Sequence, residues 1–298
     1  MKAGAYSIED IGAAIIDHVS RRKEDWTPRQ LEGMRKFKYN GSWNLAQPEN
    51  LPDLLKFFDI FNDVFFNGIL AGACKVEWYD STAAGTKGEA RAFCQDYLPR
   101  KTRDPRFDFE KPWAQIGIKK VDEVNEKWYF RWSPADRLDR YLGSLAHEML
   151  HAAFVIYACN CDHGCKQKFD EAWITHQGHD NSFLAALYAI EKAEKVDRDA
   201  GYLGLLGLNL TLHRSRAVTL KVQAGVNLPP DSELRRLGLD IKEVLGDLEA
   251  LRWDNAWEVK AKRRERQLLK ANRCITGSWD VEREEYRCSD SVMATMIL

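Results

Sequence analysis

Residues 145–154 read Leu-Ala-His-Glu-Met-Leu-His-Ala-Ala-Phe, inside a longer apolar pattern over Ala135–Tyr157. Ser133-Pro134 precedes this pattern, and such a pair favours a helix start. Apolar residues then recur at the three- and four-residue spacing of one helix face: Leu138, Tyr141, Leu142, Leu145, Met149 and Ala152. The sequence therefore predicts a long, largely buried helix that carries two histidines, His147 and His151, four residues apart.

The histidine pair predicts a metal site. Residues four apart lie on the same helix face, so the imidazoles of His147 and His151 can reach one ion at about 2.0–2.1 Å. Glu148 is rotated from them by about a third of a turn and can reach a metal-activated water without being a ligand. The motif therefore predicts a zinc hydrolase with Glu148 as general base and then acid. A surface helix with two chance histidines is the alternative, which the apolar flanks oppose.

A catalytic zinc needs a third protein ligand and an open fourth position. Phe154 and Tyr157 occupy the places where metzincins carry glycine and histidine, so the third ligand must come from farther along the chain. There are four downstream candidates: His163, Glu171, His176 and His179. His179 is preferred, because it follows Gly178 and precedes a predicted helix over Asn181–Lys195 that would fix its ring. Glu171 would instead indicate a small-peptide peptidase with a glutamate ligand.

The remaining patterns predict several helices and short strands. Helices are expected from Ile8 (with Ile11, Ile15 and Val19 on one face), from Pro28, over Leu51–Phe66, and over the charged stretches Glu233–Leu251 and Ala256–Asn272. Strands are expected over Cys74–Tyr79, Glu89–Tyr97 and Trp113–Ile118, with a hairpin in Gly201–Val222. In the helix over Leu51–Phe66, Asp59, Asn62 and Asp63 fall on the polar side. Ile116 and Ile118 fit either an edge strand that could pair with an extended substrate or an ordinary internal strand.

Composition excludes several classes of function. The chain has 298 residues, 44 Lys and Arg, 45 Asp and Glu and a net charge of −1, so no global positive field draws it onto nucleic acid. Its apolar stretches are too short to span a bilayer, and no secretory signal pattern begins it. We therefore expect an intracellular protein without membrane contact, whose seven cysteines are mostly reduced.

The motifs resemble those of the SprT-like, or spartan-type, metalloproteases. The resemblance is carried by His147-Glu148-Met149-Leu150-His151-Ala152 and by Gly178-His179 followed by Phe183. Upstream, Phe61-Asn62-Asp63-Val64-Phe65-Phe66 with Gly68-Ile69-Leu70, and then Val76-Glu77-Trp78-Tyr79, are similar to the family's leading helix and first strand. The similarity spans about residues 50–220. Asp180 stands where the family has glycine, and the interval between His151 and His179 is longer than in compact members.

The resemblance implies an α+β, zincin-like metalloprotease domain, made of helices and a small sheet, with helical extensions at both ends. The expected division is 1–45, a helical extension; 46–225, the protease domain; and 226–298, a charged, mostly helical region. It also implies bound Zn²⁺, with His147, His151 and His179 as ligands and Glu148 as the catalytic residue. The resemblance further implies proteolysis of DNA-associated or DNA-crosslinked proteins, a role in crosslink repair and a nuclear location.

Two further clusters have a possible binding role and an ordinary structural alternative. Cys159, Cys161, His163 and Cys165 could bind a second zinc, but their spacing is tighter than usual pairs, and a reduced loop is the preferred interpretation. A basic run could contact DNA phosphates or serve as a nuclear-import signal, although a solvated helix face is the commoner role. Its residues are Lys260, Lys262, Arg263, Arg264 and Arg266. The competing function is a non-catalytic, zinc-containing module that binds nucleic acid or protein.

Overall fold

The computed structural model describes residues 1–79, 92–96, 114–120, 134–163, 165–172, 178–195, 208, 210–223 and 225–249. The described helices are α1 (Ile8–Val19), α2 (Pro28–Asn40), α3 (Leu51–Phe65), α4 (Pro134–Tyr157), α5 (Cys165–Asp170), α6 (Asn181–Lys195), α7 (Thr211–Gln223) and α8 (Asp231–Arg236), with a 3₁₀ turn at Lys23–Asp25. The strands are β1 (Cys74–Tyr79), β2 (Ala92–Asp96) and β3 (Ala114–Lys119). The fold is therefore mixed α+β, as predicted.

The first two helices begin where local capping signals predict them. The Ser7 side chain accepts a hydrogen bond from the backbone of Asp10 and starts α1. Thr27 and Gln30 form a reciprocal capping box at the start of α2, with Pro28 in its first turn. The two helices are not isolated, since α1 packs against α6 and α2 against α3.

Helix α3 buries two polar residues that its pattern placed on the solvent side. Asn62 and Asp63 are each only 3% exposed, whereas Asp59 is exposed as expected. The Asn62 side-chain oxygen accepts from the backbone of Leu70 at 2.9 Å, which fixes the turn after the helix. Asp63 is paired with Lys36 at 2.5 Å and with Arg29 at 3.4 Å. The prediction was wrong for these two because hydrogen-bond and ionic partners offset the cost of burying them.

The three described strands form a sheet in the order β1-β3-β2. Strand β1 runs parallel to β3, while β2 runs antiparallel to it, and Ile116 lies opposite both Val76 and Cys94. Of the two alternatives for Ile116 and Ile118, the edge strand is therefore wrong and the ordinary internal strand is confirmed. These two side chains are fully buried in the central strand, and α4 packs against β2 and β3.

Three predictions along the second half of the chain need correction. The hairpin proposed in Gly201–Val222 is replaced, from Thr211 onward, by α7, whose buried residues include Arg214, Ser215, Val218 and Thr219 at helical spacing. The sequence of 158–178 predicts an irregular segment, but this stretch contains the short helix α5. The single helix expected over Glu233–Leu251 is broken into α8 and a second helical stretch at 241–249.

The chain divides into two compact units, Met1–Ile241 and Lys242–Leu298. The finer boundaries expected near residues 45 and 225 stay predictions. Within the described residues, no helix has both the length and the apolar composition needed to cross a bilayer. The basic run Lys260–Arg266 and the helix expected over Ala256–Asn272 lie outside the described residues.

Candidate metal centre

Helix α4 brings His147 and His151 onto one buried face. Their rings are 4.8 Å apart between centroids, and the residues are only 8% and 6% exposed. The helix itself lies in the core because its other residues, among them Leu145, Met149 and Leu150, are fully buried. Two adjacent buried imidazoles are therefore held on a rigid element that packs against the sheet.

His179 enters the site from the start of α6. Gly178 takes a left-handed conformation (φ 76°) and donates its N–H to the carbonyl of Ala172 at 2.9 Å, which closes the turn before His179. The Asp180 side chain then accepts from the backbone of Phe183 at 2.8 Å and caps α6. Asp180 is thus the helix cap, and it helps to fix the position of His179.

The three histidines converge on a common point. Their Nε2 atoms are 3.1 Å apart for His147 and His151, 3.2 Å for His151 and His179, and 3.0 Å for His179 and His147. Ligands at 2.0–2.1 Å from a tetrahedral ion are separated by about 3.3–3.4 Å. The triad therefore fits a metal ion with little adjustment, and it could hold one.

One aromatic ring supports all three histidines. Phe183, on the first turn of α6, stacks on His151 with centroids 4.2 Å apart and meets His147 and His179 edge-on at 5.1 and 5.0 Å. Its side chain is fully buried. This contact restricts the rotation of the rings, which a preorganised metal site requires.

The protonation of the pair on α4 suits metal binding. Burial, followed by repulsion from the neighbouring imidazoles, holds the pKa values of His147 and His151 well below the usual range. Both rings are therefore neutral at physiological pH, which is the form that ligates a metal. Among the described residues no group hydrogen-bonds to Nδ1 of His147.

Glu148 follows His147 on α4 and is buried. It is 7% exposed, and burial raises the pKa of its carboxyl to about 8. Burial, and then the nearby Glu148 carboxylate, raise the pKa of the Tyr79 phenol at the end of β1. A cation held by the triad would favour the charged carboxylate and lower the pKa of Glu148 again.

Two of the alternative third ligands do not join the triad. Glu171 lines a separate cavity of about 680 Å³ together with Lys168, Asp180 and Asn181, and none of the three histidines lines it. His163 belongs to the loop after α4 and is outside the group of converging nitrogens. His176 lies outside the described residues.

His213 is a neighbour of the site that sequence reasoning missed. Its ring on α7 lies 5.1 Å from that of His147, centroid to centroid, at a tilt of 37°. Gly143 leaves room for this close approach, since a Cβ at position 143 would lie 3.3 Å from His213 Nε2. The predicted hairpin did not place His213 near α4. The residue lies there because Thr211–Gln223 is a helix.

A buried ion pair fixes the helix that carries His213. The guanidinium of Arg214 pairs with Glu191 on α6, donates to the carbonyl of Leu237 at 3.0 Å and covers the ring of Tyr188 at 4.8 Å. Both charged side chains are almost completely buried. Removing one partner of such a pair typically costs about 3–5 kcal/mol, so α7 is firmly held against α6.

Comparisons with protein-family models, with curated proteins and with solved structures returned no match for this chain. The resemblance to SprT-like proteases therefore rests on the motif residues themselves. What the geometry establishes is that His147, His151 and His179 converge as a group that could hold a metal ion.

Proposed function

We propose that the chain is a zinc-dependent endopeptidase of the SprT-like type. His147, His151 and His179 would bind the metal, and Glu148 would act as general base. The observation that carries the proposal is the convergence of three imidazole nitrogens within 3.0–3.2 Å of one another, with the buried Glu148 next to His147 on the same helix. A purely structural metal site has no need of such a carboxyl, and so its presence favours catalysis over a binding module.

The chemistry follows from the positions of these side chains. When bound, Zn²⁺ polarises a substrate carbonyl and lowers the pKa of water. Glu148 accepts the proton of the attacking water and later delivers it to the leaving amine.

The developing oxyanion needs a hydrogen-bond donor. His213 is suited to this role because it lies beside His147 without entering the ligand triangle. An imidazole carries an N–H donor in both its neutral and its charged form. His213 would then stabilise negative charge on the substrate carbonyl oxygen.

Substitution of His213 tests this role. We expect His213→Ala to lower kcat about 10²–10³-fold, the usual cost of losing one oxyanion donor, with zinc content unchanged. His213→Gln, which keeps an N–H donor, should recover part of the loss. A kcat equal to that of the parent in His213→Ala would exclude the residue from the reaction.

Metal removal tests the proposal as a whole. The purified chain is incubated with casein, an unstructured protein, before and after treatment with o-phenanthroline. We expect cleavage to stop on chelation and to return when Zn²⁺ is restored, with Mg²⁺ as the control cation. A chain that binds zinc at the triad yet cleaves neither casein nor itself would favour the non-catalytic binding module.

The substrate class is proposed from the family resemblance. DNA-associated proteins, DNA contact through the basic run Lys260–Arg266, and a nuclear location stay predictions, since that run lies outside the described residues. Acceleration of self-cleavage by single-stranded DNA would support them.

A further inference from the structure

A second group of metal-binding side chains lies just beyond the end of α4. The sulfur atoms of Cys159, Cys161 and Cys165 all lie within 4.8 Å of one another, and none of the three is in a disulfide. None of them has a part in the chemistry proposed for the histidine triad. Cys161 is exposed, while Cys159 and Cys165 are half-buried, so the group is open to an ion from solvent.

The backbone holds this cysteine cluster at both ends. Ala158 forms a parallel bridge with Tyr6, and the N–H of Cys159 donates to the carbonyl of Tyr6 at 2.7 Å. On the other side, the N–H of Lys166 donates to the carbonyl of Cys161 at 3.0 Å, and Cys165 is the first residue of α5. The sulfurs therefore converge because the chain is anchored to the N-terminal segment and to a helix.

The cluster also has a fourth donor within reach. His163 hydrogen-bonds to Cys161 through both its backbone and its side chain. Cys₃His is one of the ordinary ligand sets of structural zinc. Zn–S bonds of about 2.3 Å place tetrahedral sulfurs about 3.8 Å apart, so the three sulfurs need only a small contraction from their observed spacing. The His163 ring is not among the ligand atoms that lie within 4.8 Å of one another, and it must turn further towards the sulfurs to complete the set.

We propose that Cys159, Cys161, His163 and Cys165 bind a second, structural Zn²⁺. The ion would close the loop that leaves α4 after His151. From this loop the chain continues through α5 to Ala172, which accepts from Gly178 directly before His179. The second ion would thus stabilise the insertion that leads to the third histidine, although its binding does not depend on catalysis.

Metal content and cobalt spectra test this site. The full chain is purified under reducing conditions with Zn²⁺, and the bound metal is measured per chain. We expect two ions in the parent, one in Cys161→Ser and in His163→Ala, and two in the control Cys94→Ala, whose cysteine lies on β2. In the Co²⁺ form, thiolate-to-cobalt charge-transfer absorption should appear in the parent and disappear in Cys161→Ser.

The same spectra separate this site from the proposed protease centre. A variant with both His147 and His151 replaced by Ala should lose one ion and keep the thiolate absorption, because imidazoles do not produce it. If the parent shows no thiolate absorption with Co²⁺, the second site does not exist. A parent purified without reductant that binds one ion, and whose peptide map shows a disulfide between two of Cys159, Cys161 and Cys165, would also overturn the proposal.

Discussion

Replacement of Glu148 by Gln is expected to lower kcat/KM for a protein substrate about 10²–10⁴-fold while leaving zinc content unchanged. Glutamine has almost the shape of glutamate, so the buried position beside His147 and His151 should still be filled. It cannot accept the proton of the attacking water, which is the step assigned to Glu148. The measurement is the initial rate of casein cleavage, paired with metal analysis of the same preparation.

Glu171→Gln is the matched control for this variant. Glu171 is an acidic residue of the same unit, but it lines the separate cavity beside α6 and not the triad. Its replacement should leave both the rate and the zinc content as in the parent. Cleavage by Glu148→Gln at the parental rate would show that Glu148 is not the general base and would contradict the proposed mechanism.

The sequence predicts the elements of the site better than their arrangement. The helix around His147 and the helix from Asn181 follow from apolar periodicity and capping, which are local properties. Strand order is not local: nothing in the alternation of Ile116 and Ile118 reveals that β3 lies between β1 and β2. For this reason the sequence left an edge strand and an internal strand as alternatives for Ile116 and Ile118.

Buried polar residues account for most of the other differences. The sequence pattern places Asn62 and Asp63 on the surface. Their partners explain why they are buried: the Leu70 amide for Asn62, and the Lys36 and Arg29 side chains for Asp63. A charged residue such as Arg214 is not expected in the core, yet it is buried on α7. Its ion pair with Glu191 explains this burial, and the pair is formed across two helices, so the local sequence does not reveal it.

The position of His213 beside the site could not be predicted from a sequence motif. The pairing of His147 with His151 is visible in the sequence because one helix turn separates them. His213 meets His147 only through tertiary packing of α7, with room supplied by Gly143. Its place beside the site could therefore be found only after the helices were assembled.

Loss of His179 should have the largest effect on metal binding. We expect His179→Ala to weaken zinc binding at the triad by more than about 100-fold, since loss of residues that only support ligands already costs 10–100-fold. Its Nε2 lies 3.0 and 3.2 Å from those of the other two histidines, so two ligands alone would remain. Competition with a chromophoric chelator measures the affinity, and cleavage of casein should fall in parallel.

The comparison that decides the third ligand uses Glu171→Ala and His176→Ala beside His179→Ala. Glu171 faces another cavity, so its variant should keep parental zinc affinity at the triad. His176→Ala should do the same if His179 completes the set. Retention of zinc by His179→Ala, together with its loss from Glu171→Ala, would instead indicate a peptidase with a glutamate ligand, and His179 would then have no role in binding the metal.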